Sequence, residues 1–148
     1  MQIEEVVTIQ RPLDEVFAYV SNAEHDAEWR TNVKEIQRVS GDGGAGTIYK
    51  QTLKGPMGKD LPADLKYTDY QHNRRLAFDT IEGSVRPSAS IEFAPVGEAA
   101  TQIRFVMIWE PTGGTKVASK IIGKFLEKNV RESYANLVRH MESRPVHA

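Results

Sequence analysis

Residues 41–46, Gly-Asp-Gly-Gly-Ala-Gly, match the G-x-G-x-x-G pattern of a dinucleotide-binding turn. In such a turn the glycines let the backbone approach a pyrophosphate, which binds at the N-terminus of the helix that follows. Here residues 47–54 alternate as a strand does, so the helix that this site requires is missing. Asp42 followed by Gly43 is a strong hairpin signal. The pattern therefore predicts a loop between two strands and no nucleotide cofactor.

The ionisable side chains lack the spacing of known catalytic or metal sites. No two of the four histidines have the H-x-x-x-H spacing of a metal site; they are His25, His72, His140 and His147. The chain has no cysteine, which excludes disulfides and thiol catalysis, and no G-x-S-x-G nucleophile motif. His25, Asp26 and Glu28 form one acid–base cluster, but a solvated helix face explains it. We therefore predict no metal, no cofactor and no nameable catalytic residue.

Length and charge restrict the class of protein further. The 148 residues fit a single domain, residues 1–148. The formal net charge is −1, and the balanced charges argue against nucleic acid as a partner. The N-terminal segment is acidic and has no signal-peptide pattern, and no window approaches the roughly 20 apolar residues of a membrane span. We expect a cytoplasmic protein.

Hydrophobic periodicity predicts the elements that position these residues. Residues 3–10 read as a strand, residues 11–20 as an amphipathic helix that begins at a proline, and residues 23–29 as a second short helix. Between residues 33 and 110 the period changes to two, which predicts six short antiparallel strands, with residues 61–70 as one of them. Residues 115–142 then form a continuous apolar stripe, typical of a helix about 42 Å long.

This order of elements resembles the START-like, or SRPBCC, superfamily. The segment GDGGAGTIYK resembles the glycine-rich loop of the birch pollen allergen group. RPLDEVFAYVSN followed by Trp29, and FAPVGEAATQI, resemble the polyketide cyclase/dehydrase group. The resemblance implies an α+β helix-grip fold, in which a curved seven-stranded antiparallel sheet wraps around a long C-terminal helix, with two short N-terminal helices. It also implies a cavity between the sheet and the long helix.

Strand alternation and the helical stripe indicate which side chains would face that cavity. We expect ligand-binding residues at twelve positions, although a filled core explains each one equally well. They are Trp29, Tyr49, Leu65, Tyr67, Phe78, Ile91, Phe105, Met107, Trp109, Ile122, Phe125 and Tyr134. The set is mostly apolar with few polar atoms, which is typical of small-molecule pockets.

Three functions remain open at this point. The first is binding, or transport, of a hydrophobic or amphipathic small molecule. The second is a polyketide cyclase/dehydrase-type enzyme in the same cavity, with a tyrosine or histidine moving protons. The third is a peripheral lipid or quinone chaperone that meets a membrane through a basic ridge; its members are Lys116, Lys120, Lys124 and Lys128. A solvated helix face is the preferred explanation of that ridge, and the oligomeric state stays open.

Overall fold

The structure is a computed structural model that describes residues 1–83, 85–110 and 116–144, without the side chains of residues 56 and 116–119. The helices are α1 (Leu13–Val20) and α2 (Lys116–Ser143), with 3₁₀ segments at Ala23–Glu28 and Pro56–Gly58. The strands are β1 (Gln2–Ile9), β2 (Val33–Ser40), β3 (Ile48–Lys54), β4 (Asp60–Pro62), β5 (Leu65–Gln71), β6 (Arg75–Thr80), β7 (Ser88–Val96) and β8 (Ala100–Ile108).

The strands form one antiparallel sheet in the order β1-β8-β7-β6-β5-β3-β2. Strand β1 pairs along its whole length with β8, from Gln2 opposite Ile108 to Ile9 opposite Thr101. The chain therefore places its first strand beside its last, and β2 forms the other edge. Together with the long C-terminal α2, this arrangement confirms the α+β helix-grip fold predicted from the sequence.

One predicted strand is interrupted. Residues 61–70 were expected to form a single strand, but they divide between β4, which pairs with β3 only, and β5. At the break the Ala63 amide donates to the Gln51 carbonyl, whereas the Asp64 carbonyl accepts from the Ile81 amide. The backbone changes partner from β3 to the segment after β6 at this step, and the described sheet therefore has an additional short strand.

The glycine-rich loop joins β2 to β3, as its sequence predicts. Gly41 has φ +92°, and a Cβ there would lie 2.6 Å from the Thr47 Cα, so the turn requires glycine. The Gly43 amide donates to Thr47 Oγ1 at 2.8 Å, and the Gly44 amide donates to Asp42 Oδ1 at 2.9 Å. The loop thus satisfies two of its own backbone donors with nearby side chains.

Helix α1 is anchored to the sheet by an aromatic side chain. Pro12 stands at the N-cap of α1, where its fixed φ of −62° suits the start of a helix. The buried ring of Phe17 makes edge contacts with Tyr70 of β5 and Phe93 of β7, at centroid distances of 5.4 and 4.9 Å. Such edge-to-face contacts fix the orientation of α1 on the sheet.

The C-terminal half of α2 is the better anchored half. Leu137 and Met141 are fully buried. The Arg11 guanidinium donates to the carbonyl oxygens of Glu142 (2.6 Å) and Arg144 (2.9 Å), at the C-terminal end of the helix. The segment after β1 therefore caps the end of α2.

The N-terminal half of α2 is more exposed. Ile121 is 61% exposed, and Lys120, Lys124 and Lys128 are exposed as well. The side chain of Lys116, the first member of the predicted basic ridge, lies outside the described residues, as does His147. Among the helices of the described residues, none is long and apolar enough to cross a membrane.

Candidate functional site

A cavity of about 60 Å³ lies between the sheet and α2. Apolar side chains of β5 to β8 form one wall, and these are Leu65, Tyr67, Leu76, Phe78, Ile91, Phe105 and Met107. Helix α2 forms the opposite wall with Leu126, Asn129, Val130, Ser133 and Tyr134. The end of α1 and the 3₁₀ segment close it with Val20, Ala23, Asp26, Trp29, Arg30 and Asn32. The sheet side is thus apolar, while most polar groups come from the helical side.

The structure brings eight of the twelve predicted residues together around this cavity. They are Trp29, Leu65, Tyr67, Phe78, Ile91, Phe105, Met107 and Tyr134. Strand alternation identified the six on β5 to β8, because every second side chain faces the same side. Their role in binding a ligand stays a prediction.

The other four predicted residues lie outside the described lining of this cavity. Tyr49 borders a separate surface groove. Trp109 follows the end of β8, and its ring packs near Gly123, where an added Cβ would lie 3.5 Å from its Cζ2. Ile122 and Phe125 lie one turn before Leu126 and Asn129, at which the lining of α2 begins. Alternation gives the face of an element but does not show where along it a cavity ends.

A partly buried ion pair occupies the helical side of the cavity. Arg30 Nη1 lies 3.0 Å from Asp26 Oδ2 and donates to Gln51 Oε1 at 2.8 Å. Burial raises the pKa of Asp26 to about 6, and the Arg30 guanidinium opposes this rise. Burial, together with the charge of Asp26, also raises the pKa of Tyr134.

The prediction that Asp26 lies on a solvated helix face is therefore wrong. Its side chain is only 11% exposed. The segment is a 3₁₀ helix with three residues per turn, so Ala23 and Asp26 share one face, and that face is buried. Two signals in the sequence could have identified the pair: the spacing of three from Ala23 to Asp26, and the spacing of four from Asp26 to Arg30.

The other two members of the predicted acid–base cluster contact Tyr19 of α1. The His25 ring stacks on the Tyr19 ring at a centroid distance of 4.5 Å, with an angle of 11° between the planes. The Tyr19 hydroxyl donates to Glu28 Oε1 at 2.8 Å. His25 and Glu28 therefore join α1 to the 3₁₀ segment, and neither belongs to the described lining of the cavity.

Two buried hydrogen-bond donors of the lining have no partner among the described residues. They are the indole Nε1 of Trp29 and the amide Nδ2 of Asn129. Burial of an unpaired donor costs about 1–3 kcal/mol, so each such atom calls for an explanation. Sequence reasoning missed Asn129; the signal was that Asn129 and Ser133 continue the Phe125 row at intervals of four but are polar.

The groove that Tyr49 borders has a different character. It measures about 500 Å³ and lies between the glycine-rich loop and the segment after α1. Its lining is mostly polar and comprises Ser21, Asn22, Glu24, Arg38, Asp42, Gly43, Gly44, Tyr49 and Tyr70. Within the residues that the structure describes, no group of three or more His, Asp or Glu side chains is placed to hold a metal ion.

Comparisons with known proteins agree with the fold. A sequence model of the family described as "Polyketide cyclase / dehydrase and lipid transport" matches residues 1–142. The structure of TTHA0849 from Thermus thermophilus is similar, with a TM-score of 0.82 at 20% identity, over 95% of this chain and 97% of that chain. A comparison with curated proteins gave no match.

Two further solved structures are similar to this chain in fold. The Zhui aromatase/cyclase from Streptomyces sp. R1128 has a TM-score of 0.76 at 14% identity, covering 96% of this chain and 91% of that chain. A START superfamily protein from Mycobacterium smegmatis has a TM-score of 0.73 at 13% identity, covering 95% of this chain and 97% of that chain. At these identities the likeness establishes the fold alone.

Proposed function

Because the chain belongs to the polyketide cyclase/dehydrase and lipid transport family, within the START-like superfamily, we propose that it binds a small hydrophobic or amphipathic molecule between the sheet and α2. One observation carries this proposal: the cavity has an apolar wall from the sheet, and two residues of the opposing side, Trp29 and Asn129, each have a buried donor without a partner among the described residues. Ligand pockets combine these features, with apolar area for affinity and a few polar atoms for orientation.

The size of the cavity restricts how a ligand is accommodated. Pockets for drug-sized molecules measure about 300–1,000 Å³, and an engineered apolar cavity of about 150 Å³ binds benzene. The 60 Å³ found here is smaller than either. Binding therefore requires lining side chains to move so that the cavity enlarges. Met107 is one residue able to do so, because its unbranched side chain repacks readily.

A thermal-shift experiment combined with extraction tests this proposal. One sample of the purified protein is denatured, and its extract is analysed by mass spectrometry. The thermal unfolding midpoint of the folded protein is measured separately with single-ring aromatics, fatty acids, sterols, flavonoids and quinones. A ligand at 100 times its Kd raises the midpoint by about 5–11 °C in a domain of this size. An empty extract and an unchanged midpoint throughout contradict the proposal.

Two substitutions on α2 separate cavity binding from surface binding. Val130→Phe adds volume inside the cavity, whereas Ile121→Phe adds volume at a position that is 61% exposed. We expect the first to abolish the shift and the second to retain it. A shift retained in Val130→Phe places the ligand elsewhere.

An enzyme of the cyclase/dehydrase type is the second candidate, and the position of Asp26 favours it. A carboxyl group with a pKa of about 6 that lines the cavity is suited to act as a general base near neutral pH. In that role Asp26 takes a proton from the carbon next to a substrate carbonyl and returns it later. The test follows the exchange of the methyl protons of acetophenone for deuterium in D₂O; acceleration that survives Asp26→Asn contradicts this role.

A further inference from the structure

We propose that the molecule bound in this cavity carries an uncharged carbonyl oxygen, which accepts hydrogen bonds from the Trp29 indole N–H and the Asn129 amide. This inference rests on the proposed function and names the chemical class of the polar group. The apolar remainder of the molecule then faces β5 to β8 across the cavity.

The two buried donors require a partner that only accepts hydrogen bonds. Trp29 is 4% exposed, and its Nε1 is buried without a partner among the described residues. An indole N–H only donates, and the free N–H groups of an amide do the same. A ligand that satisfies both donors must therefore bring lone pairs, and a carbonyl oxygen has two of them and no proton.

Neighbouring side chains hold Trp29 and Asn129 in place. The Trp29 ring packs edge-on against Tyr134 at 5.1 Å, and the Trp29 carbonyl accepts from Asn136 Nδ2 at 3.3 Å. The Thr31 hydroxyl donates to Asn129 Oδ1 at 3.2 Å, which orients that amide, and its Nδ2 has no partner among the described residues. Both donors are thus positioned before any ligand arrives, which lowers the entropy cost of binding.

The charges of the described lining are already balanced. The guanidinium of Arg30 already faces the carboxylate of Asp26 at 3.0 Å, so the lining holds one cation and one anion. A carboxylate or phosphate on the ligand would add a second negative charge without a second cation among the described lining residues. Burial of an uncompensated charge is strongly unfavourable. The same donors serve an uncharged oxygen without that cost.

Three probes of one shape test the inference: acetophenone, ethylbenzene and benzoate. They share a phenyl ring and differ in the side group, which is a ketone, a hydrocarbon and a carboxylate. The sequence has two tryptophans, so the ¹H–¹⁵N spectrum has two indole signals, and Trp109→Phe assigns them. We expect acetophenone to shift the Trp29 indole proton downfield, to bind at least 10-fold more tightly than benzoate, and to leave the Trp109 signal nearly unmoved.

Dissociation constants of the variants supply the second readout. Trp29→Phe keeps an aromatic ring and removes the N–H, and Asn129→Leu removes the amide. Each is expected to raise the Kd ratio of acetophenone to ethylbenzene about 3- to 10-fold, the usual value of one hydrogen bond. Trp109→Phe, outside the described lining, is the matched control and keeps the ratio. If Asn129→Leu fails to fold, the Kd ratio of Trp29→Phe alone tests the inference.

The outcomes distinguish the inference from the function on which it rests. If the ratio stays unchanged in Trp29→Phe, or if benzoate binds as tightly as acetophenone, the carbonyl inference is wrong and cavity binding stands. The inference is also wrong if a water molecule still contacts the indole proton when acetophenone is bound. If the wild-type protein binds none of the three probes, the carbonyl inference is wrong, whereas the proposed function fails only if the wider ligand panel also leaves the unfolding midpoint unchanged.

Discussion

Arg30 Nη1 and Asp26 Oδ2 form an ion pair of 3.0 Å on the helical side of the cavity, and their side chains are 18% and 11% exposed. Because the carboxyl group is desolvated and the guanidinium is close, the protonation state of Asp26 is coupled to folding. The pair is also the charged part of the proposed binding site. The effect of this ion pair on the free energy of unfolding can be measured without knowledge of the ligand.

The first prediction concerns pH. The pKa of Asp26 is about 6 in the folded state, whereas an unperturbed aspartate side chain has a pKa of 3.8. The folded state therefore binds this proton more tightly, and the contribution of Asp26 to the free energy of unfolding falls as pH rises from about 4 to about 6. At 1.36 kcal/mol per pKa unit the whole loss, from well below pH 4 to well above pH 6, is about 3 kcal/mol, and about 2 kcal/mol of it falls between pH 4 and pH 6. Urea unfolding of the wild type and of Asp26→Asn at pH 4 to 8 measures it.

The difference between these two proteins isolates Asp26 from the other carboxyl groups, which titrate in both. We expect the stability of Asp26→Asn relative to the wild type to increase from pH 4 to pH 6 and to level off above that. Parallel stability curves across this range contradict the buried position of the carboxyl group.

The second prediction concerns the other partner of the pair. Arg30→Met removes the cation that opposes the pKa rise of Asp26, so at pH 7.5 the carboxyl group either stays charged without its partner or takes up a proton, and for this partly buried pair we expect a cost of about 1–3 kcal/mol. The double variant Asp26→Leu with Arg30→Met removes both charges, and we expect it to recover most of that loss. Urea unfolding of all four proteins at pH 7.5 forms the double-mutant cycle. A cost below about 1 kcal/mol for Arg30→Met disagrees with this account.

The third prediction concerns the glycine-rich loop. Gly41 and Gly46 have almost the same φ, +92° and +90°, but a Cβ at Gly41 meets the Thr47 Cα at 2.6 Å, whereas a Cβ at Gly46 has nothing within 4 Å. Gly46→Ala should therefore cost only the left-handed backbone penalty of about 1–2 kcal/mol, and Gly41→Ala distinctly more. Thermal midpoints of the two variants compare them directly, and equal losses contradict the steric argument.

Sequence patterns predicted the parts of this fold that follow from repeated local rules. The alternation of β5 to β8 identified Leu65, Phe78 and Ile91 as inward-facing, and Asp42-Gly43 indicated the β2–β3 loop. Sequence patterns did not predict the features that depend on the local backbone conformation or on partners distant in the chain. The burial of Asp26 depends on which face of the short 3₁₀ segment packs against the rest of the protein, and the strand break at Asp64 depends on partners that are distant in sequence.

The last prediction compares two polar groups near the cavity: the Tyr67 hydroxyl, which already donates to a protein carbonyl, and the Trp29 indole N–H, which we propose donates to the ligand. The Tyr67 ring lines the cavity, but its hydroxyl is buried and donates to the Ser21 carbonyl at 2.9 Å, so it is already occupied. Tyr67→Phe should therefore lower the free energy of unfolding by about 1 kcal/mol and leave the Kd of acetophenone within about 2-fold of the wild-type value. Trp29→Phe, by contrast, should weaken acetophenone binding. Urea unfolding and ligand titration of both variants supply the comparison. If Tyr67→Phe weakens acetophenone as much as Trp29→Phe does, the tyrosine hydroxyl contacts the ligand and the polar end of the site lies on the sheet side.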